Sequence, residues 1–304
     1  MTTPAAQPAP GGTWYIPARS SAEGSFDTVV DPARRDDWTY TGLKVLALAP
    51  GGAETLATGD FEAMVVPLSG GCEVEIVADG TTAAYDLAGR PDVFAGATDA
   101  AYAPRRSEIR ISSARGGRFA VCLARARTDH PAAYIAAEDV PVEVRGAGAM
   151  TRLVRNFGTV GVFDACDALI ACEVITPGGN WSSYPAHKHD EQTDSESELE
   201  EIYYYEIAES PSGTPGFGYH QTTSTDPERP IDVLEEVRAG DVVLVPHGWH
   251  GPCAAAPGHD MYYLNVMAGP GDHRAWDITD RPDQTWVRAT WEGLGPDPRL
   301  ADRT

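Results

Sequence analysis

Lysine is almost absent from this chain of 304 residues, although charged side chains are frequent. Only Lys44 and Lys188 occur among 23 basic residues, against 45 acidic ones, and the formal net charge is −22. A strongly negative surface repels nucleic-acid phosphates and anionic membranes. We therefore predict no nucleic-acid partner and no membrane partner. We interpret the shortage of lysine as a bias of genome composition or as adaptation of the surface to salt.

Long apolar runs and paired cysteines are missing as well. No apolar run approaches the roughly 20 residues that span a bilayer. The N-terminal residues MTTPAAQPAPGG lack the charged and apolar regions of a signal peptide, and we predict a disordered leader at 1–12. Five cysteines, an odd number at wide spacing, indicate no disulfide framework, so the predicted location is a reducing cytoplasm.

Helical periodicity is scarce, whereas short β runs are frequent. Stretches such as LKVLALA, EAMVVPLS and CEVEIVA are separated by Gly, Pro and Asp, which predicts a β sandwich or small barrel. The segment VEVRGAGAMTRLVRNF has the small residues of a linker, and we place a domain boundary within it. The predicted domains are 13–145 and 146–304, the second of which includes a C-terminal tail.

The second half of the chain repeats the pattern of the first. An apolar strand followed by Pro-Gly-Gly occurs in both halves, as LALAPGG and CEVITPGG. This alignment places Glu62 opposite Glu201 and Glu108 opposite His250. Seven of the eight histidines lie in the second copy, so we predict that the first copy keeps the fold without metal ligands.

Three histidines and a glutamate in the second copy predict a metal site. His187 and His189 are two residues apart, so both point to the same side of an extended chain. Glu201 precedes the run IYYY, and His250 ends GDVVLVPHGWH. Nitrogen and oxygen ligands of this kind differ from the thiolate-rich set of structural zinc. Zinc, manganese, iron, nickel and cobalt all fit them, so the ligand types do not choose the metal.

The sequence around these predicted ligands resembles that of a known family. The stretches GNWSSYPAHKHD, LEEIYYY, GDVVLVPHGWH and APGHDMYYLNVMAGP are similar to the 5-deoxy-glucuronate isomerase family of inositol catabolism, which is related to the uronate ketol-isomerases of pectin breakdown. The resemblance runs from about Trp14 to Trp276. It implies an all-β bicupin, with two tandem cupin barrels of the jelly-roll or double-stranded β-helix type. It also implies these metal ligands: His187, His189, Glu201 and His250.

The activity that the resemblance implies is an aldose–ketose isomerisation. An isomerase of this family converts 5-deoxy-D-glucuronate to 5-dehydro-2-deoxy-D-gluconate through an enediolate bound to a divalent metal ion. A divalent ion acts as a Lewis acid that stabilises the charge on the substrate oxygens. The expected partner is therefore a small sugar acid. Association with further copies of the chain stays open.

Tyrosines and an arginine are the candidates for the chemistry beside the metal. If Glu201 points inward, alternation also turns Tyr203 and Tyr205 inward, and a phenol near a cation can serve as acid or base. The predicted proton-transfer residues are Tyr205, Tyr184 and Tyr263. The predicted substrate-binding residues are Arg155, Tyr203, Tyr219, His220 and Gln221. The alternative for each tyrosine is core packing, and for the arginine it is a surface position.

One segment departs from the family, and one loop has two interpretations. Where the family is expected to carry an aromatic residue followed by Gln-Arg, this chain has Tyr219, His220 and Gln221. If an arginine there binds the substrate carboxylate, another group must bind it in this chain. The acidic loop at 190–198 is either a solvated surface loop or a lid over the barrel.

Three other functions fit the same ligand pattern. Cupins with three histidines and a glutamate also support oxygen-dependent metal dioxygenases, because a fold does not determine a function. The pectin-pathway uronate ketol-isomerase is a second alternative, and a non-catalytic sugar-binding cupin is a third. The retention of all four ligands in the second copy argues against the last.

Overall fold

The computed structural model describes residues 14–300, which are almost entirely β structure. The leader predicted at 1–12 lies outside this range. The strands are β1 (Tyr15–Ile16), β2 (Phe26–Val30), β3 (Thr41–Leu48), β4 (Gly52–Ala57), β5 (Phe61–Ala78), β6 (Thr81–Arg90), β7 (Ala100–Ala103), β8 (Glu108–Ser113), β9 (Gly117–Arg125), β10 (Ala133–Ile135), β11 (Val142–Arg145), β12 (Arg152–Gly158), β13 (Ile170–Thr176), β14 (Trp181–Ser182), β15 (His187–Lys188), β16 (Glu200–Ile207), β17 (Gly218–Thr223), β18 (Asp232–Val237), β19 (Val242–Val245), β20 (Trp249–Ala255), β21 (Met261–Ala268) and β22 (Thr279–Asp280).

Helices contribute little to the described residues. A single turn of α-helix, α1, spans Trp286–Ala289. Short 3-10 helices lie at Pro32–Arg34, Ala137–Asp139, Gly148–Met150, Pro282–Gln284 and Pro298–Leu300. Within residues 14–300, no helix has the length and apolar character needed to cross a membrane.

Two large antiparallel sheets repeat one strand order. The order in the first half is β10-β7-β5-β9-β3-β2, and in the second it is β1-β19-β16-β21-β13-β12-β11. Strand β5 pairs with β7 and β9 as β16 pairs with β19 and β21. The repeat that LALAPGG and CEVITPGG indicate is therefore a repeat of strand pairing, in which β3 and β13 are equivalent.

A smaller sheet faces the large sheet of the second half. Its order is β18-β17-β20-β15-β22, and β14 also pairs with β20. Tyr203 and Tyr205 of β16 point into the core between these sheets, whereas Ile202 and Tyr204 point to the opposite face. This alternation follows from the pleat of a strand. Two such barrels in tandem make a bicupin, so the predicted all-β fold class is confirmed.

The first barrel has an apolar interior. Side chains such as Val65, Val74 and Ile111 pack together in a buried cluster between its strands. Among the described residues, the group of side chains placed to hold a metal ion lies in the second half. The first barrel therefore has the packing of a scaffold.

The register of the two sheets changes one predicted correspondence. Ala63 of β5 occupies the place of Glu201 in β16, because each pairs at the same position with its two neighbouring strands. Glu62 is instead equivalent to Glu200. The sequence-based alignment of Glu62 with Glu201 is wrong by one residue. Both faces of these strands are buried, so an alternating pattern does not mark which face is which.

Glu62 and Glu200 join the two halves in equivalent ways. The carboxylate of Glu62 accepts hydrogen bonds from the backbone N–H groups of residues 167–169 at 2.6–2.8 Å. The carboxylate of Glu200 accepts them from residues 39–41 at 2.6–3.2 Å. Each glutamate thus binds the segment that precedes a central strand of the other half. The apolar outer faces of the two large sheets pack together between these contacts.

Two strands from the first half of the chain belong to the large sheet of the second half, and this affects where the domains divide. Strand β1 pairs with β19, so the described N-terminal segment joins the second large sheet. Strand β11 pairs with β12 of the same sheet, although it precedes the predicted boundary. The division into 13–145 and 146–304 stays a prediction.

Candidate metal centre

The four predicted ligands come from both sheets of the second barrel. Glu201 projects from β16 of the large sheet, whereas His187 and His250 are cross-strand partners on β15 and β20 of the small sheet. His189 follows β15. The ring centroids of His187 and His250 lie 4.4 Å apart, and those of His189 and His250 lie 4.6 Å apart. The structure therefore brings all four side chains together.

A carboxylate oxygen lies within this cluster. Glu201 Oε2 accepts a hydrogen bond from His189 Nε2 at 3.0 Å and lies 3.2 Å from His250 Nε2. Ligand atoms of these three residues lie within 4.8 Å of one another. His250 Nε2 is buried and has no hydrogen-bond partner among the described residues. A buried nitrogen in this state is destabilising unless another group binds it.

Backbone carbonyl groups orient the three imidazoles. Each Nδ1 atom lies 3.1–3.3 Å from a carbonyl oxygen, in the pairs His187 with Pro185, His189 with Leu199, and His250 with Gly248. A carbonyl only accepts, so each Nδ1 carries the hydrogen and donates it. In a neutral ring the lone pair is then on Nε2, whereas His189 carries a second proton on Nε2 while it donates to Glu201. Metal-binding histidines in proteins are commonly held in this way.

The electrostatics of the cluster favour the metal-binding forms of His187 and Glu201, whereas the hydrogen bond and charge of Glu201 outweigh burial and raise the pKa of His189. Burial, with the charges of His250 and His189, lowers the pKa of His187 well below its ordinary value. Burial alone would raise the pKa of Glu201, but the hydrogen bond from His189 and the proximity of His250 hold it well below its ordinary range. His187 and Glu201 are therefore in the forms that a divalent ion needs, and His189 would release its proton when the ion binds. Nitrogen and oxygen donors without thiolates fit a transition metal ion with open coordination positions.

A cavity of about 190 Å³ adjoins the ligands, and His187 and Glu201 line it. Ser183, Tyr203 and Tyr263 line it as well. The Ser183 hydroxyl lies 3.4 Å from the Tyr203 hydroxyl and 3.2 Å from the Tyr263 hydroxyl. Burial raises the pKa of both phenols above the ordinary value. Three protonated hydroxyl groups therefore line this cavity together.

Tyr205 and His220 form a separate buried pair beside the cavity. The Tyr205 hydroxyl lies 2.6 Å from His220 Nδ1, and neither residue lines the cavity. Burial lowers the pKa of His220 to about 3, so its ring is neutral. The ring centroid of Tyr203 lies 4.9 Å from that of His220. The pair therefore contacts a cavity residue without reaching the cavity itself.

Three further predicted residues are placed outside the cavity. Tyr184 packs edge-on against Trp181, with ring centroids 5.7 Å apart. Tyr219 is 46% exposed on β17, and Gln221 lies two residues along the same strand, on the same face. Of the eight residues predicted for catalysis or substrate binding, the cavity therefore holds Tyr203 and Tyr263.

Arg155 is also placed away from the cavity. Its Nη1 donates to the carbonyl oxygen of Val93 at 2.8 Å and lies 3.6 Å from Glu173 Oε2, in the interface between the two halves. The sequence analysis missed the arginines that do line the cavity, which are Arg145, Arg152 and Arg288. Arg152 is on the same strand as Arg155 but three residues away, so the pleat turns it to the opposite face.

Lys188 lies between the two ligand histidines in sequence and anchors the acidic loop at 190–198. Its Nζ donates to Asp190 Oδ1 and to Glu196 Oε1, each at 2.7 Å. Asp190 Oδ2 accepts from the backbone N–H of Gly248, whose carbonyl accepts from His250. The base of the loop is therefore connected to the metal ligands through buried polar contacts.

Two tandem cupin barrels, of which the second brings three histidines and a glutamate together beside one cavity, define a bicupin with a candidate metal centre. Residues 14–287 match the model of the KduI/IolB family. The chain belongs to that family. The 5-deoxy-glucuronate isomerase of Geobacillus kaustophilus (strain HTA426) is 39% identical over 276 residues, which cover 90% of this chain and 94% of the relative. That of Bacillus licheniformis is 35% identical over 254 residues, covering 83% of this chain and 89% of the relative.

Solved structures agree with the fold. A crystal structure of an IolB-like protein from Salmonella typhimurium LT2 superposes with a TM-score of 0.80 at 32% identity, over 90% of this chain and 98% of the other. Oxalate decarboxylase of Lactobacillus farciminis, in a formate complex, superposes with a TM-score of 0.63 over 92% of this chain and 96% of the other. At 11% identity the second likeness shows the fold alone.

Proposed function

We propose that the protein is a 5-deoxy-glucuronate isomerase, which converts 5-deoxy-D-glucuronate to 5-dehydro-2-deoxy-D-gluconate. The observation that carries this proposal is the cluster of His189, Glu201 and His250, with the His187 ring 4.4 Å from that of His250, beside a cavity of about 190 Å³. Relatives that span nearly the whole chain are named for this activity. The substrate is an aldehyde with a hydroxyl on the next carbon and a carboxylate at the far end.

The proposed role of the four ligands is to hold one divalent ion of zinc, manganese, iron, nickel or cobalt. When bound, such an ion supplies Lewis acidity toward substrate oxygens. The backbone carbonyl groups of Pro185, Leu199 and Gly248 keep the imidazole rings fixed for that role. A fixed set of ligands avoids reorganisation at the time of reaction.

The proposed role of the hydroxyl cluster is proton donation. Isomerisation moves a proton from the hydroxyl-bearing carbon to the adjacent aldehyde carbon by way of an enediolate, which carries charge on oxygen. Tyr203 and Tyr263 keep their protons because burial raises the pKa of each phenol. Their hydroxyls and that of Ser183 face the cavity together. They are therefore suited to donate to a developing oxyanion, and this supports general acid catalysis by Tyr203 and Tyr263.

The test is turnover of 5-deoxy-glucuronate in deuterated water, followed by NMR. We expect deuterium at the carbon that receives the proton, because an enediolate exchanges its proton with solvent. His187→Ala and His250→Ala should both abolish turnover. His273→Ala is the matched control, because its side chain is in an exposed loop. Metal analysis of the same preparations identifies the ion and should show its loss in the two ligand variants.

The same assay separates the alternatives. Full turnover under nitrogen argues against a dioxygenase. Turnover of a pectin-derived keto-uronate, with none of 5-deoxy-glucuronate, would move the chain to the related ketol-isomerases. Unchanged turnover in His187→Ala would contradict the metal-dependent mechanism. Sugar binding without any turnover in the wild type would favour a binding protein.

We further propose that residues 13–145 are a scaffold domain and that 146–304 carry the catalysis. The apolar interior of the first barrel supports this division. The described cysteines Cys72, Cys122, Cys166, Cys172 and Cys253 are free and buried, which supports a reducing cytoplasm as the location.

A further inference from the structure

Three arginines line the cavity of the metal centre, and they differ in their partners. Arg145 pairs with Glu143 at 2.7 Å. Arg288 makes two hydrogen bonds to Asp280. Arg152 has no carboxylate partner among the described residues, and its Nη1 donates only to the carbonyl oxygen of Met150, at 3.2 Å. Arg152 is thus a cation without a counter-ion.

The surroundings of Arg152 make that state costly. The residue is 8% exposed, and burial of a charge without a partner is unfavourable. Arg145 is its direct partner across β11 and β12, and like charges in this position destabilise a sheet. Burial, with the charges of Arg145 and Arg288, lowers the pKa of Arg152 to about 10, although Tyr263 and the more distant charge of Glu143 act in the opposite direction. An anion in the cavity would compensate for all of these effects.

Two neutral donors in the same cavity are also without partners. Asn265 Nδ2 and Trp276 Nε1 are buried and make no hydrogen bond among the described residues. The Oδ1 atom of Asn265 already accepts a weak hydrogen bond from the Cys172 thiol, so its amide nitrogen is the free end. Buried donors normally find acceptors. The cavity therefore suits a ligand that carries several oxygen acceptors.

We propose that Arg152 binds the carboxylate of an open-chain sugar acid, while Asn265 and Trp276 donate hydrogen bonds to other oxygens of the same molecule. This inference rests on the proposed function, because the aldehyde end of the substrate must lie at the metal centre and the carboxylate is at the other end. A guanidinium binds a carboxylate through two parallel hydrogen bonds.

The experiment compares the sugar acid with its uncharged amide in wild type and Arg152→Met. Wild type should have a higher kcat/KM for the acid than for the amide. In Arg152→Met the ratio of these two kcat/KM values should fall by about 30-fold or more, since a buried charge pair is broken. Turnover of the amide should change little in the variant. A variant that is merely misfolded would lose turnover of the acid and of the amide equally. The ratio of kcat/KM for the acid to that for the amide therefore isolates the contact with the carboxylate. Arg152→Lys should retain part of the preference.

Arg288→Met is the matched control, because Arg288 lines the same cavity but is already neutralised by Asp280. Loss of the acid preference in Arg288→Met, with its retention in Arg152→Met, would overturn the proposal. If wild type turns over neither compound, the proposed function fails on its own. Calorimetric binding of the acid and the amide then still tests the subsite, and equal affinities of Arg152→Met and wild type for the acid would refute it.

Discussion

The hydroxyl of Ser183 lies between two phenols that face the cavity, Tyr203 and Tyr263. Tyr205 is next in the same alternating row of β16, but its hydroxyl is directed to His220 Nδ1 at 2.6 Å. The three tyrosines are all buried and all protonated, since burial raises the pKa of each. Access to the cavity, and not acidity, therefore distinguishes the residues that can donate to a substrate.

At the residue scale we predict that Tyr263→Phe and Tyr203→Phe lower kcat by about 10²–10⁴-fold, the usual contribution of a general acid. KM should change much less, because the lost interaction strengthens only as the oxyanion forms. Steady-state kinetics on folded, metal-loaded protein give the measurement. Tyr205→Phe is the control and should retain most of kcat. A loss in Tyr205→Phe as large as that in Tyr263→Phe would mean that the His220 pair takes part in proton transfer.

Strand β12 shows why sequence alone selected the wrong arginine. Arg152 and Val154 face the second barrel, whereas Leu153 and Arg155 face the other half of the molecule. Both faces are buried, so the sequence TRLVRNF contains alternation without any sign of which face is inside. The inner face of β12 can be assigned only from the sheet register. Glu201 defines the inner face of β16, and the pairing of the strands then shows which residues of β12 lie on that same face.

The clustering of the four predicted ligands could be foreseen for the opposite reason. His187 and His189 are two apart, and the polar side chains stand out against apolar strands, so alternation and residue chemistry agree. The same reasoning predicted that Tyr203 and Tyr205 point inward with Glu201, which the structure confirms. Cavity access could not be predicted, because it depends on how the two sheets curve around each other.

The acidic loop at 190–198 is held at its base by one of the two lysines of the chain. Glu196 is 4% exposed and Lys188 is 8% exposed, so their contact is shielded from water. Glu191 also lies 3.3 Å from Lys188 Nζ, but its side chain is 62% exposed. A buried contact of this kind contributes more than an exposed one.

At the element scale we predict that Lys188→Met frees the loop and weakens the metal site. Amide hydrogen exchange at 190–198 should accelerate, and metal affinity should fall by about 10–100-fold, as for other residues that support metal ligands. Hydrogen exchange by mass spectrometry and competitive chelation measure the two effects. Glu191→Gln is the control and should change neither. Unchanged exchange in Lys188→Met would show that other contacts hold the loop.

The two halves of the molecule are joined by buried charge as well as by apolar packing. Arg90 of β6 donates to Glu173 of β13, and the Tyr262 hydroxyl donates to the same carboxylate at 2.8 Å. Arg155 adds a second cation at 3.6 Å. With Glu62 and Glu200 at the ends of the central strands, this cluster ties the first barrel to the sheet that carries Glu201. The first barrel thus supports the second barrel, which holds the candidate metal centre.

At the scale of the whole molecule we predict that Glu173→Gln lowers the free energy of unfolding by about 3–5 kcal/mol, because it leaves Arg90 and Arg155 as buried cations without a counter-charge. Burial alone would raise the pKa of Glu173, but the charge and hydrogen bonds of Arg90 outweigh it and lower that pKa. The stabilisation is therefore fully present above the unfolded pKa of about 4.3 and is lost as pH falls through the folded value.

Urea unfolding of wild type and Glu173→Gln between pH 8 and pH 3 measures this effect. The difference between the two proteins should be constant down to about pH 4.3, the ordinary pKa of glutamate, and should shrink below it. Glu236→Gln removes the partner of Arg238 in an exposed pair and should change stability little at any pH. A difference for Glu173→Gln no larger than that for Glu236→Gln would mean that apolar packing alone joins the two halves.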